Sequence, residues 1–295
     1  MSKKAKLIFL SIYIPSVAII IIFVVLANMT VNKEPLVFDG ESDDQTEIII
    51  IPEDEILGVE DYTPKDVLGI TLGKITTTSE FEVTTTGESN ATGQTIKIAN
   101  HRIVKNNEAF IECVSAGLVS SGTQRFFSGG NVGIRKASSV NADATATFNS
   151  DTVEVITDET YKSRYGWLPY QMNGYIFSDN TYLSDPTISK NEDNTYTINV
   201  ELDPDSDAAY YYQREVSTSA NATTVPVFYE MKFEITIDEN FRVLKVKTHE
   251  KYDVTVKVII DIKSTTTTEC VDIYNYTNIN FDSNLYDFFK GKLTN

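Results

Sequence analysis

Between Val227 and Ile237 the chain alternates without a slip. Val227, Tyr229, Met231, Phe233, Ile235 and Ile237 fall on one side; Phe228, Glu230, Lys232, Glu234 and Thr236 fall on the other. A period of two marks a strand with one face on a core and the other toward water. Asp238-Glu239-Asn240 is turn chemistry, and Phe241–Thr248 follows it. Tyr252, Val254, Val256, Val258, Ile260 and Ile262 then share one face. Upstream, Tyr196, Ile198, Val200 and Leu202 share a face of a strand over Thr195–Leu202, after a turn at Asn191–Asn194. Shorter apolar runs predict strands over Phe81–Thr86, Thr95–Ala99, Phe110–Val119, Arg125–Lys136, Val140–Phe148, Val153–Thr157 and Thr265–Asn275. About ten strands at short spacing predict a mainly β fold, a large curved antiparallel sheet or open half-barrel carrying a few short helices.

Three segments read as helices. Thr63-Pro64 offers an N-cap and a first-turn proline for a helix to about Leu72. Asp203-Pro204 does the same for one to about Glu215, and Ser283–Lys290 is the third. A fourth pattern is of another kind. Lys3, Lys4 and Lys6 precede an uncharged run of 23 residues from Leu7 to Met29. As a helix it would reach roughly 34 Å at about 1.5 Å per residue, enough to cross a bilayer core. Lysines before the run place the N-terminus in the cytoplasm and the rest of the chain outside it. A cleaved signal peptide ending near Val25-Leu26-Ala27 is the rival reading, and it exports the same residues. The predicted organisation is therefore a Lys-rich tip and transmembrane anchor over 1–30, an acidic stalk over 31–66, and a single β-rich extracytoplasmic domain over 67–295. The localisation is the cell membrane, single-pass.

Charge sharpens this division. The 295 residues hold 25 Lys plus Arg against 42 Asp plus Glu, a formal net charge of −17. Twelve acids between Glu34 and Asp66, opposed by Lys33 and Lys65 alone, make that stretch self-repelling, and a solvated spacer is expected. Ile48–Ile51, closed by Pro52, is its apolar patch and could dock on the domain as an edge strand. A polyanion lacking Lys/Arg clusters is a poor partner for nucleic acid.

Searches for chemistry return little. No phosphate-cradling glycine loop precedes a helix, so a nucleotide is not expected, and Gly129-Gly130 reads as a turn or bulge. His249-Glu250 opens an HExxH word, but Asp253 stands where the second His belongs. Asp203-Pro-Asp205-Ser-Asp207 starts like a calcium loop, but Ala208 and Arg214 break it. No metal or other cofactor is expected, nor catalysis. Cys113 and Cys270, on separate predicted strands, read as a cross-sheet disulfide, as two buried free thiols, or as a thiol dyad with His101 or His249. The least ordinary feature is aromatic. Tyr165, Trp167, Tyr170, Tyr175 and Phe177 crowd one segment, and Tyr210-Tyr211-Tyr212 follow on the second predicted helix. Three consecutive residues on a helix cannot all face inward. Tyr165, Trp167, Tyr170, Tyr175, Phe177, Tyr210 and Tyr211 are therefore the candidate pocket and lid, set against their use as plain core.

The stretch Phe233–Asp238 with Phe241–Val246, the following Tyr252–Ile262 strand and the Thr265–Asn278 strand resemble the strand, acidic turn, strand order of the lipoprotein-carrier half-barrel superfamily. That superfamily includes the LolA-like and mycobacterial lipoglycan-binding lipoproteins. The resemblance covers roughly Thr195–Phe281 and implies a bent antiparallel sheet, lidded by short helices, that holds an acyl chain in its concavity. The expected function is non-enzymatic binding of a hydrophobic, lipid-like or envelope-derived ligand. The alternative is a structural or protein-interaction module of the cell envelope with no small-molecule pocket.

Overall fold

The computed structural model describes residues 36, 38, 40–91, 93–117, 120–168, 174–219, 222–257 and 261–294. Its centre is an open antiparallel sheet of 11 strands. Helix α1 (Pro64–Thr77) leads into five strands in hairpin succession: β1 (Glu80–Ala91), β2 (Gln94–Lys105), β3 (Glu108–Ala116), β4 (Ser121–Ser128) and β5 (Asn131–Lys136). A two-strand flap, β6 (Ser139–Val140) and β7 (Ala146–Thr147), precedes the edge strand β8 (Glu154–Thr157) and helix α2 (Asp158–Tyr165). The other half is β9 (Thr187–Lys190), β10 (Tyr196–Glu201), helix α3 (Tyr210–Ser219), β11 (Val227–Ile237), β12 (Val243–Lys257) and β13 (Asp261–Asn275), followed by helix α4 (Ser283–Leu293). The spatial order is β8-β5-β4-β3-β2-β1-β13-β12-β11-β10-β9. The last strand thus pairs with the first in mid-sheet, Val83 opposite Tyr274, and locks the two halves together.

Register fixes which residues share a face. On the inner face, Phe81, Val104, Ala109, Phe127 and Val132 form one row across β1 to β5. Val83, Arg102, Ile111, Arg125 and Ile134 form the next. The outer face of the same strands carries Ile103, Phe110, Phe126 and Gly133, and α4 covers it with Phe289 fully buried. Toward β10–β12 the inner face is dry. Ile198, Ile235, Ile237, Phe241 and Val243 are sealed in one core with Val67, Leu68, Ile70 and Leu72 of α1. That helix is buried nearly all round, and a solvent-facing helix would not be. Thr63 and Asp66 close its start as a reciprocal capping box.

Several sequence expectations shift here. The acidic segment does not stand off as a spacer from residue 40 onward. Glu47 N donates to Phe177 O at 2.8 Å and Ile49 N to Gly69 O at 3.0 Å, which straps the segment over α1. Gly69 and Gly73 permit this approach, because a Cβ on Gly73 would overlap the Ile49 carbonyl oxygen. Several of its acids have body partners: Glu41 with Lys162, Glu53 with Lys74, and Glu60 with Lys190. The Ile48–Ile51 patch docks on this helix rather than at a sheet edge. The predicted strand over Arg125–Lys136 is two strands joined at Gly129-Gly130, and Phe241–Thr248 and the start of the Tyr252–Ile262 strand are one strand, β12. A bulge between Phe228 and Glu230 inverts the start of β11, so Val227 and Tyr229 face out and Phe228 faces in. Asp203-Pro204 belongs to a turn; α3 begins at Tyr210 after a 3-10 turn capped by Ser206. The segment 1–35, with the apolar run Leu7–Met29, lies outside the described residues. No helix among those described is long and apolar enough to cross a membrane.

Candidate functional site

In the β1–β5 half the inner face carries polar groups where the other half carries isoleucines. Alternation places Arg102 of β2 and Arg125 of β4 in one row on either side of Ile111. The neighbouring row runs Val246, Asp272, Thr85, Asn100 and Cys113. On β12, Thr248, Glu250 and Tyr252 continue the inward phase that Val246 begins. All of these except Tyr252 line a cavity of about 210 Å³. Tyr161 of α2, Trp167, Gly174, Tyr175, and Tyr212 and Glu215 of α3 close it from above.

Local chemistry explains how the cover is held. Thr157 caps α2, which ends at Gly166 in the left-handed region, φ +89°; a Cβ there would overlap the Tyr211 backbone, so the two lid helices touch through this glycine. Two carboxylates then fasten the cover. Trp167 Nε1 donates to Glu215 Oε2 at 2.6 Å. Tyr175 and Tyr212 donate to the two oxygens of Glu250 at 2.5 and 3.2 Å. Glu250 lies on the sheet, so its phenol partners stitch lid to floor.

Burial dominates the electrostatics. It pushes the Glu250 carboxyl up to about 7, against the opposing pull of the Tyr175 and Tyr212 hydrogen bonds. It also raises Glu215, which Arg125 draws back down, and Asp272, which a hydrogen bond from Thr85 and the charge of Arg102 draw back down. Arg125 is 6 % exposed. Its Nη1 donates to the Tyr161 hydroxyl at 2.8 Å, and its guanidinium stacks on Tyr165 at 4.5 Å from the ring centre. Its Nε has no hydrogen-bond partner, and among the described residues no carboxylate lies within ion-pair distance. Arg102 approaches the Trp167 and Phe81 rings.

The sequence-chosen aromatics divide into separate groups. Trp167 and Tyr175 line the cavity. Tyr165 supports Arg125 from behind. Phe177 is sealed in the core, 5.2 Å from Phe233. Tyr210 holds the strap, its hydroxyl donating to Gly40 O at 3.0 Å, and Tyr211 packs on Tyr210. Tyr170 lies outside the described residues. Of the three readings of the cysteine pair, the structure shows two free thiols, Cys113 and Cys270, and not the disulfide. Strands β2 and β1 separate them, roughly 14 Å at about 4.8 Å per strand, too far to bridge. Both line the cavity, with burial pushing Cys270 up to about 12 and Cys113 also upward. His101 and His249 sit between inward-facing neighbours and so point outward, His101 to Glu82 and His249 between Glu230 and Glu269.

Arg102, Arg125, Glu215, Glu250 and Asp272 were not singled out by motif or by aromatic crowding. One signal marked most of them. Carrying the strand alternation through its polar positions puts both arginines, Glu250 and Asp272 in the inward phase. A second hollow of about 390 Å³ lies over β10–β12, but Lys232 there pairs with Glu201 and Glu230, and Lys247 with Glu234. No protein-family model matches the chain, and no curated protein is significantly similar to it.

Proposed function

We propose that the chain is a non-enzymatic binding protein, held at the membrane by its Leu7–Met29 segment, whose curved sheet and lid enclose a compact ligand. The observation that carries this is the inner face itself, which encloses about 210 Å³ among polar and aromatic side chains instead of being filled. An envelope module without a ligand would gain stability from packing that space with aliphatic groups, as the same sheet is packed at β10–β12. The sequence resemblance to lipoprotein carriers implies an acyl cargo, but the lining argues against one. Arg102, Arg125, Glu215, Glu250 and Asp272 would meet a methylene chain with nothing for it to solvate. The volume, about 210 Å³, is also small for a long acyl chain. The ligand is therefore compact and polar.

Native mass spectrometry of the full chain, extracted gently from its producing cell, tests the reading. A co-purified small molecule is expected, and Cys113→Phe, which fills the cavity, should lose it. A clean apo mass for the unmodified protein would favour the purely structural module.

A further inference from the structure

We propose that the cavity selects a small monocarboxylate, whose carboxylate is received by Arg125 beside Arg102 and whose body lies against Trp167 and Tyr175. This rests on the cavity being a ligand site and adds the chemical class of the ligand.

The argument starts from a mismatch in how the buried charges are satisfied. Each acid of the cavity has its donor: Trp167 for Glu215, Tyr175 and Tyr212 for Glu250, and Thr85 for Asp272. Arg125 is treated differently. It has one neutral phenol, one aromatic ring beneath it, and an Nε with no partner. A buried guanidinium cannot shed its proton, whereas burial moves the three acids toward their neutral forms. The Arg125 end therefore presents a forked, planar donor with no contact ion pair among the described residues, which fits a carboxylate.

Three further features narrow the class. Glu215, Glu250 and Asp272 share the cavity, and whatever charge they keep opposes a dianion such as phosphate more than a monoanion. Tyr161 and Tyr165 hold the guanidinium from the side and behind, which fixes its fork before any ligand arrives. Trp167, Tyr175, Tyr212 and Tyr274 supply aromatic wall to the cavity of about 210 Å³, which suits a planar or short apolar body.

Benzoate is the test probe, with benzamide as its neutral isostere and inorganic phosphate as the dianion. Binding to the full chain in detergent is read by calorimetry and by Trp167 fluorescence, since Trp167 is the only tryptophan. Benzoate should saturate at least tenfold more tightly than benzamide or phosphate. Arg125→Gln should abolish that preference. Arg125→Lys, which keeps the charge and loses the fork, should bind benzoate about tenfold more weakly while still preferring it to benzamide. Cys113→Phe keeps both arginines and should lose benzoate altogether.

Equal binding of benzoate and benzamide would overturn the anion claim and leave the cavity reading standing. Phosphate binding more tightly than benzoate would overturn the monocarboxylate claim. Absence of benzoate binding would overturn the inference outright; a ligand seen by native mass spectrometry would then show that the cavity reading survives without it.

Discussion

The two ends of the sheet's inner face solve the same problem in opposite ways. At β10–β12 the inward positions are Ile198, Ile235, Ile237 and Val243, and α1 fills the hollow until none is more than 1 % exposed. At β1–β4 and the neighbouring stretch of β12 and β13 the inward positions include Arg102, Arg125, Thr85, Glu250 and Asp272, and a lid spans the space without filling it. Strand, twist and pairing are common to both. The difference shows that the pairing supplies the frame and the choice of inward residue decides whether a stretch of that face becomes core or cavity.

The largest test removes packing from the dry end. Ile235→Ala deletes a fully buried side chain where α1 and the sheet leave no room to relax. A loss of about 4 kcal/mol is expected in urea unfolding. A loss below about 1 kcal/mol would mean that the dry end is loosely packed and the contrast between the ends is false.

The next test uses pH. Glu250 rises from its ordinary 4.5 to about 7 on folding because burial disfavours its charge. A raised carboxyl contributes stability that is complete below pH 4.5 and lost as pH climbs through about 7. At about 1.4 kcal/mol per unit the loss is on the order of 3 kcal/mol. Urea midpoints should therefore fall between pH 4.5 and pH 7 and flatten above. Glu250→Gln, still hydrogen-bonded between Tyr175 and Tyr212, should remove most of that slope, leaving the part due to Glu215 and Asp272. An unchanged slope in Glu250→Gln would assign the titration elsewhere.

How much of this was readable beforehand depended on whether a residue obeyed its strand. Periodicity reached the antiparallel sheet and most of its strands, because apolar residues on one face carry the signal, and the Thr63-Pro64 cap reached the start of α1. It missed the bulge at Phe228–Glu230, since a one-residue shift leaves the local composition unchanged. It also missed the strap, whose docking depends on Gly69 and Gly73 lying bare on a distant helix. Trp167 and Tyr175 were found by crowding. Arg125 and Glu250 were hidden because a charged residue in a strand reads as the outward face until register shows otherwise. Phase would have exposed them; type did not.

The strap gives a third, smaller test, because it seals the dry end from outside. Gly73→Ala places a methyl group against the Ile49 carbonyl, and backbone cannot yield as a side-chain tip can. Helix propensity favours the change by under about 1 kcal/mol, and overlap should outweigh it, for a net loss of about 2 kcal/mol. Proteolysis within residues 40–56 should become faster. A stabilised variant with unchanged proteolysis would mean that the strap is not seated on α1.

The smallest effect is the most diagnostic because its sign is opposite. Arg125→Met removes a buried charge that has no contact ion pair among the described residues, only the more distant pull of Glu215, and puts an apolar chain of similar length in its place. Relief of desolvation favours the variant by a few kcal/mol. Loss of the stack on Tyr165 and of the bond to the Tyr161 hydroxyl offsets most of that, each being about 1–2 kcal/mol. A net gain of about 1 kcal/mol is expected in the absence of any ligand, read as a higher urea midpoint at constant slope. A residue kept at a cost to stability is kept for something else, so a gain would mark this end of the face as selected for binding. A loss of more than about 2 kcal/mol would show that Arg125 is as structural as Ile235, and the two ends would then differ in composition but not in purpose.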